Sequence, residues 1–192
     1  VTRRFLFVLG SSRPDGNTEL LARTAAEQLP AGTEQEWFDL AEQPLPDFVD
    51  VRHDAEIPRP EGAAAHLLDA TLAATDLVIA SPLYWYSVSA QTKRYLDHWA
   101  GWLRLPGVDF KARMAGRTLW GVTALAHEEF EVADPLVGTL RTSAAYLGMR
   151  FGGVLLGNGS KPGDVRTDTE ALARAKTFFA QEAPLARFPY ER

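Results

Sequence analysis

Between Gly10 and Thr18 the chain reads GSSRPDGNT, and these residue types suit one kind of chemistry, the holding of an anion. A continuous apolar run, Phe5 to Leu9, precedes the stretch, and a helical pattern, Glu19 to Leu29, follows it. The first turn of a helix carries backbone N–H groups without intrahelical partners, and its dipole favours negative charge there. Gly10 and Gly16 are able to take positive φ at little cost and to let a ligand approach the backbone. Ser11, Ser12 and Thr18 add hydroxyls, Asn17 an amide and Arg13 a full positive charge. Together they read as a phosphate cradle. Two familiar cradles do not match. A Walker A loop has four residues between its glycines and then Lys-Ser/Thr, whereas five separate Gly10 from Gly16 and Asn17-Thr18 follows. The dinucleotide fingerprint needs a glycine two positions after the first, which is absent. A plain strand-to-helix turn, with Asn17 or Thr18 as a simple cap, stays open at this point.

The second chemical stretch is SPLYWYSVSAQTKRYLDHW, Ser81 to Trp99. Pro82 stops a strand, Leu83, Tyr84, Trp85 and Tyr86 form an aromatic loop, and Ser87 or Ser89 caps a helix. Aromatic rings in a loop at the edge of a sheet offer a flat ligand large apolar faces with a few polar handles. Packing beneath a neighbouring loop or a second subunit is the alternative. Among the four histidines, His53 and His66 are expected to face solvent and His98 to make a structural hydrogen bond. His127 is the one placed to touch a bound substrate. No histidine pair has metal-ligand spacing, no metal site is expected, and Glu128, Glu129 and Glu131 read as a solvated acidic rim.

The elements that must position these groups alternate along the chain. Strands are expected at Arg4 to Leu9, Gln35 to Leu40, Asp76 to Ala80, Thr118 to Thr123 and Phe151 to Leu156. Helices are expected at Glu19 to Leu29, at Ala63 to Ala74, after the aromatic loop, from Asp134-Pro135 to Tyr146, and at Thr169 to Ala183. Residues 41 to 62 break the pattern with Pro44, Pro46, Pro58 and Pro60, and read as a segment that wraps the surface or borders the site. Trp99 to Phe110 (WAGWLRLPGVDF) carries more apolar bulk than an exposed loop should, which suggests a subunit interface or a lid.

Composition narrows the classes. The 192 residues are expected to form one domain, 1–192, and 46% hydrophobic with 23% charged residues is globular. A net charge of -5 with no basic stripe argues against nucleic acid. The absence of cysteine excludes disulfides, thiolate chemistry and cysteine-held metal centres, and fits a cytoplasmic location. No run reaches the roughly 18 apolar residues of a membrane span.

Five strands alternating with helices imply an α/β fold with a parallel sheet. In the flavodoxin-like order, 2-1-3-4-5, the switch point lies between strands 1 and 3, where FMN binds at the strands' carboxyl ends. The phosphate loop follows strand 1 and the aromatic loop follows strand 3, so both meet at that crevice. At these residues the chain resembles the NADPH-dependent FMN reductases, the NAD(P)H-dependent oxidoreductases of the flavodoxin-like superfamily. The segment YLGMRFGGVLLGNGSKPGDV, Tyr146 to Val165, is similar to their last-strand region.

The resemblance implies FMN as cofactor, with NADPH or NADH as co-substrate. It implies that Ser11, Arg13, Gly16, Asn17 and Thr18 hold the FMN phosphate. Pro82, Leu83, Tyr84, Trp85 and Tyr86 then border the ribityl chain and ring, and the loop around Thr123 to Ala126, with Thr123 and Ala124 as its site residues, closes the other side. It further implies hydride transfer from nicotinamide to flavin N5, then two electrons to a quinone, azo compound, flavin or similar small acceptor, with no side-chain nucleophile. A one-electron carrier and a non-catalytic FMN-binding protein are the alternatives. A homodimer is expected from Trp99, Trp102 and Leu103 and from the family. Four charge-assisted hydrogen bonds to a phosphate contribute about 6–12 kcal/mol gross against an association cost of at least about 4. Micromolar binding needs about 8 net, so both loops should be needed to retain the cofactor.

Overall fold

Runs of consecutive apolar side chains become the three inner strands here because helices cover those strands on both faces, leaving them buried along almost their whole length. The computed structural model describes residues 2–53 and 55–191. Its strands are β1 (Arg4–Leu9), β2 (Glu34–Asp39), β3 (Asp76–Ala80), β4 (Thr118–Leu125) and β5 (Arg150–Asn158). They form one parallel sheet in the order β2-β1-β3-β4-β5. The sheet is parallel, as the alternation of elements implied, and its order is the expected flavodoxin-like one. The register sets Leu9 beside Ala80 and Ala80 beside Val122, so the loops leaving β1, β3 and β4 start level with one another.

The pleat divides the core in two. Phe5, Phe7 and Leu9 of β1 pack with Leu21 of α1 (Asn17–Ala26), Ala171 of α6 (Thr169–Ala175) and Phe179. Leu6 and Val8 pack in the opposite cluster, with side chains from α2 (Gly62–Ala73), α3 (Ala90–Trp102), α4 (Phe110–Met114) and α5 (Asp134–Tyr146). At the sheet's open margin, the segment after α6 lies antiparallel on the start of β5. There the Phe151 N–H donates to Pro184 O (2.9 Å) and the Ala186 N–H to Met149 O (3.0 Å).

Three expectations change. Trp99 to Phe110 is neither an exposed interface nor a lid, because Trp99, Trp102, Leu105 and Phe110 are all buried in this chain's own core. Trp102 meets Phe110 edge to face at 5.5 Å, and the aromatic bulk is consumed where α3 turns into α4. The homodimer expectation therefore loses its basis in Trp99 and Trp102. The closing helix stops at Ala175 rather than Ala183, and a 3₁₀ turn, Phe178–Ala180, packs Phe178 and Phe179 against Trp120. Finally, β4 runs to Leu125, two residues beyond its expected end.

The proline-rich segment is a strap over α3. Leu45 is buried, Arg94 pairs with Asp47 at 2.9 Å, and His98 Nε2 donates to Pro46 O at 2.8 Å. His98 thus makes the structural hydrogen bond expected of it, and His53 and His66 are exposed. No helix among the described residues is long and apolar enough to cross a membrane.

Candidate functional site

At the carboxyl rim of the sheet a crevice of about 340 Å³ is bounded by four loops, those leaving β1, β3, β4 and β5. Ser11, Arg13, Gly16, Asn17 and Thr18 line it from the first loop, and Pro82, Leu83 and Tyr84 from the second. Ala124, Leu125 and Ala126 supply the third wall.

Helix α1 opens without a side-chain cap. Gly16 is the N-cap residue in extended conformation (φ -71°, ψ 162°). Its carbonyl accepts from Leu20 N, but among the described residues the N–H groups of Asn17, Thr18 and Glu19 meet no protein acceptor. Groups of this kind need an external acceptor, and an oxyanion is the one their dipole favours. Arg13 is exposed and its guanidinium makes no ion pair among the described residues. Ser11 lies at the rim, its Oγ accepting from Arg13 N at 3.1 Å.

Two expected donors do different work. The Asn17 amide is spent on the loop after β5: Nδ2 donates to Lys161 O (2.8 Å), and Oδ1 accepts from Gly163 N (2.9 Å) and Val165 N (3.4 Å). Thr18 is buried, and its Oγ1 accepts from Ala124 N at 3.1 Å. What these two residues present to the crevice is therefore backbone N–H, while their side chains fasten α1 to the ends of β4 and β5. Gly10 has a different reason from the expected one. Neither it nor Gly16 takes positive φ, but a Cβ on Gly10 would lie 1.9 Å from Thr92 Oγ1. Gly10 is a packing requirement of β1 against α3.

The loop after β3 is a tight hairpin. Tyr84 and Ser87 exchange backbone hydrogen bonds of 3.0 and 3.1 Å, with Trp85 and Tyr86 at its tip (φ 49° and 65°). Positive φ at both central residues marks a type I′ turn, a geometry that ordinarily selects Asn-Gly because bulky side chains are strained there. Trp85 is 93% exposed. The hairpin's base is fixed by a buried polar knot: Ser81 Oγ accepts from Ser89 N (2.9 Å), and Ser89 Oγ caps α3 by accepting from Thr92 N (3.2 Å). Of the two serines considered as the cap, Ser89 is the one used.

Trp85 and Tyr86 do not line the crevice itself. They line an adjoining cleft of about 510 Å³ with His127, and the two spaces share Leu83, Tyr84, Leu125 and Ala126. His127 is exposed, and its carbonyl accepts from Asn158 Nδ2 at 2.7 Å, which ties its loop to the end of β5. Thr123 does not reach the crevice. It is fully buried, its hydroxyl has no partner among the described residues, and the β4 residues that line the space are Ala124 and Leu125. Glu128, Glu129 and Glu131 are exposed, as a solvated rim would be.

Gly159, Ser160 and Pro162 also line the crevice and were not singled out from the sequence. The signal was the glycine-rich loop after the fifth strand. A Cβ on Gly159 would lie 2.8 Å from Asn17 Nδ2, so the fastening by Asn17 requires glycine there.

The donor set fits FMN. Uncapped N–H groups and a free guanidinium suit its phosphate, and the gap between Pro82–Tyr84 and Ala124–Ala126 is apolar, as a flat ring requires. Comparison with known proteins agrees with this fit. The family model for NADPH-dependent FMN reductases matches residues 3–150. The Bacillus subtilis protein YwqN, named as an NAD(P)H-dependent FMN-containing oxidoreductase, is 31% identical over 169 residues, which covers 86% of this chain and 91% of that protein. Among solved structures, the Trp repressor binding protein from Bacillus subtilis superposes with a TM-score of 0.75 at 24% identity, covering 93% of this chain and 99% of that one. The NAD(P)H:quinone oxidoreductase from Methanothermobacter marburgensis superposes with a TM-score of 0.71 at 18% identity, covering 92% and 94%. These two likenesses establish the fold.

Proposed function

The chain belongs to the NADPH-dependent FMN reductase family and is an FMN oxidoreductase with NAD(P)H as co-substrate, and we propose that it reduces a small planar acceptor such as a quinone. The uncapped start of α1 beside Arg13 carries the FMN site on which this reading rests, because it provides charge-matched donors at the crevice rim with no protein group among the described residues to satisfy them.

In this reading the N–H groups of Asn17 and Thr18, the Ser11 hydroxyl and Arg13 hold the FMN phosphate. Thr18 and Asn17 use their side chains to keep the β4 and β5 loops at a fixed distance from that anchor. Pro82, Leu83 and Tyr84 border one side of the ring and Ala124 to Ala126 the other, and the apolar walls keep water from the reacting face. FMN held there would supply two-electron redox chemistry between a nicotinamide and a small acceptor. The cleft between the Trp85-Tyr86 tip and His127 is where nicotinamide and acceptor bind in turn, with His127 as a hydrogen-bond donor to the acceptor's oxygen. The marburgensis enzyme, named as a quinone oxidoreductase, supports the choice of acceptor class. Assembly as a homodimer, which rests on family resemblance, and a cytoplasmic location, which rests on the absence of cysteine, complete the proposal.

Anaerobic mixing of the FMN-loaded protein with NADPH tests it. The flavin absorbance should bleach and return on addition of a quinone. Flavin that stays oxidised would remove the nicotinamide step, and flavin that stays bleached after quinone would remove the acceptor class.

A further inference from the structure

The opposite rim of the sheet, where the strands begin, holds a groove of about 710 Å³. A six-residue strand such as β1 separates the two rims by about 20 Å. Four arginines from separate parts of the chain line the groove: Arg3 before β1, Arg113 on α4, Arg117 before β4 and Arg150 at the start of β5. Asp76 and Glu182 are the carboxylates that line it.

Asp76 is already committed. Its carboxylate takes a bidentate contact from Arg3 (2.5 and 3.0 Å) and accepts from Trp120 Nε1 at 2.9 Å. Arg117 and Arg150 are braced by backbone carbonyls instead. Arg117 Nε donates to Arg113 O (2.6 Å) and its Nη1 to Ala74 O, and Arg150 Nη1 donates to Ala183 O at 2.9 Å. Backbone carbonyls orient a guanidinium without neutralising it, and each guanidinium has five N–H donors, so most remain to be used. Among the described residues Arg113, Arg117 and Arg150 have no carboxylate within 4.0 Å. Burial and the charge of Arg113 both hold Arg117 below the usual guanidinium pKa, as expected of cations brought together without a counter-charge.

In a chain of net charge -5, this is a local excess of positive charge on pre-oriented forks. We propose that the groove binds a diphosphate group, gripped by Arg113, Arg117 and Arg150, at a site separate from the flavin crevice. Planar guanidinium forks match the paired oxygens of phosphates, and three guanidinium groups without carboxylate partners among the described residues are more than a single phosphate requires.

Calorimetric titration of pyrophosphate into the FMN-saturated protein at low ionic strength tests this. Excess FMN keeps the cradle at the other rim filled. One-to-one binding is expected, at least ten-fold weaker in Arg113→Glu and in Arg150→Glu, both of which alter exposed side chains, and unchanged when FMN is raised ten-fold. Absence of binding, indifference to both substitutions, or displacement by FMN would each overturn the site. ADP titrated in parallel separates two sources of the same group. Affinity at least equal to that of pyrophosphate assigns a nucleotide, and weaker affinity assigns the inorganic anion.

Discussion

The loop after β1 and the hairpin after β3 face each other across one crevice and use the backbone in opposite ways. In the first, the bulk of the residues is polar and the N–H groups at the start of α1 are left without acceptors. Its side chains Asn17 and Thr18 are buried or tied into neighbouring loops. In the second, the backbone is satisfied by its own two hydrogen bonds and the side chains are left outside, at a conformational cost borne by Trp85 and Tyr86. The contrast teaches how one site divides its labour. A charged tail is best met by fixed dipoles that need no reorganisation, whereas a variable flat partner is best met by rings held out on a short arm.

Breaking the first loop should have the largest effect. Asn17→Ala removes three hydrogen bonds that hold the β5 loop. It should cost about 2–3 kcal/mol of stability in urea denaturation, and FMN affinity should fall with it. Arg13→Ala separates binding from folding, because that side chain is exposed and unpaired among the described residues. FMN affinity should drop about 10–100-fold by fluorescence titration, the equivalent of about 1.5–3 kcal/mol, with an unchanged melting temperature. An unaltered affinity would place the phosphate elsewhere.

The hairpin predicts the reverse pattern. Replacing Trp85-Tyr86 by Asn-Gly should relieve strain and raise stability by about 1–2 kcal/mol. It should also lower kcat/KM for a quinone while FMN affinity stays within about two-fold. A loss of stability would show that the rings are held by contacts worth more than the strain. The smallest effect tests the wall between the loops. Thr123→Val deletes a buried hydroxyl that has no partner and should stabilise the protein by up to about 1 kcal/mol in thermal melts, leaving FMN affinity unchanged.

Much of this contrast was legible in the sequence, for separable reasons. Strand positions followed from apolar runs such as DLVIA, whose limits, Asp76–Ala80, are those of β3. The crevice followed from loops placed after strands 1 and 3. What was not legible depends on facts outside any one segment. Nothing local distinguishes Trp99 and Trp102 facing a second subunit from the same residues folded onto Phe110. Gly10 looks like a ligand-approach glycine until Thr92, 82 positions later, is found against it. The tight turn at Trp85-Tyr86 runs against side-chain preference, so preference could not find it. Asn17 has the right type for a phosphate donor, and only the position of the Lys161 carbonyl shows that its amide N–H is otherwise occupied.

The short antiparallel segment at Pro184 to Ala186 also bears on the protein's life in a crowded solution. A parallel sheet that ends in an open strand is a template onto which another polypeptide can add. Here the chain caps the first residues of that strand with its own tail, as a hem stops a weave from running on. Proteolysis before Pro184 would uncover this margin, and the clipped protein should self-associate sooner than the intact one.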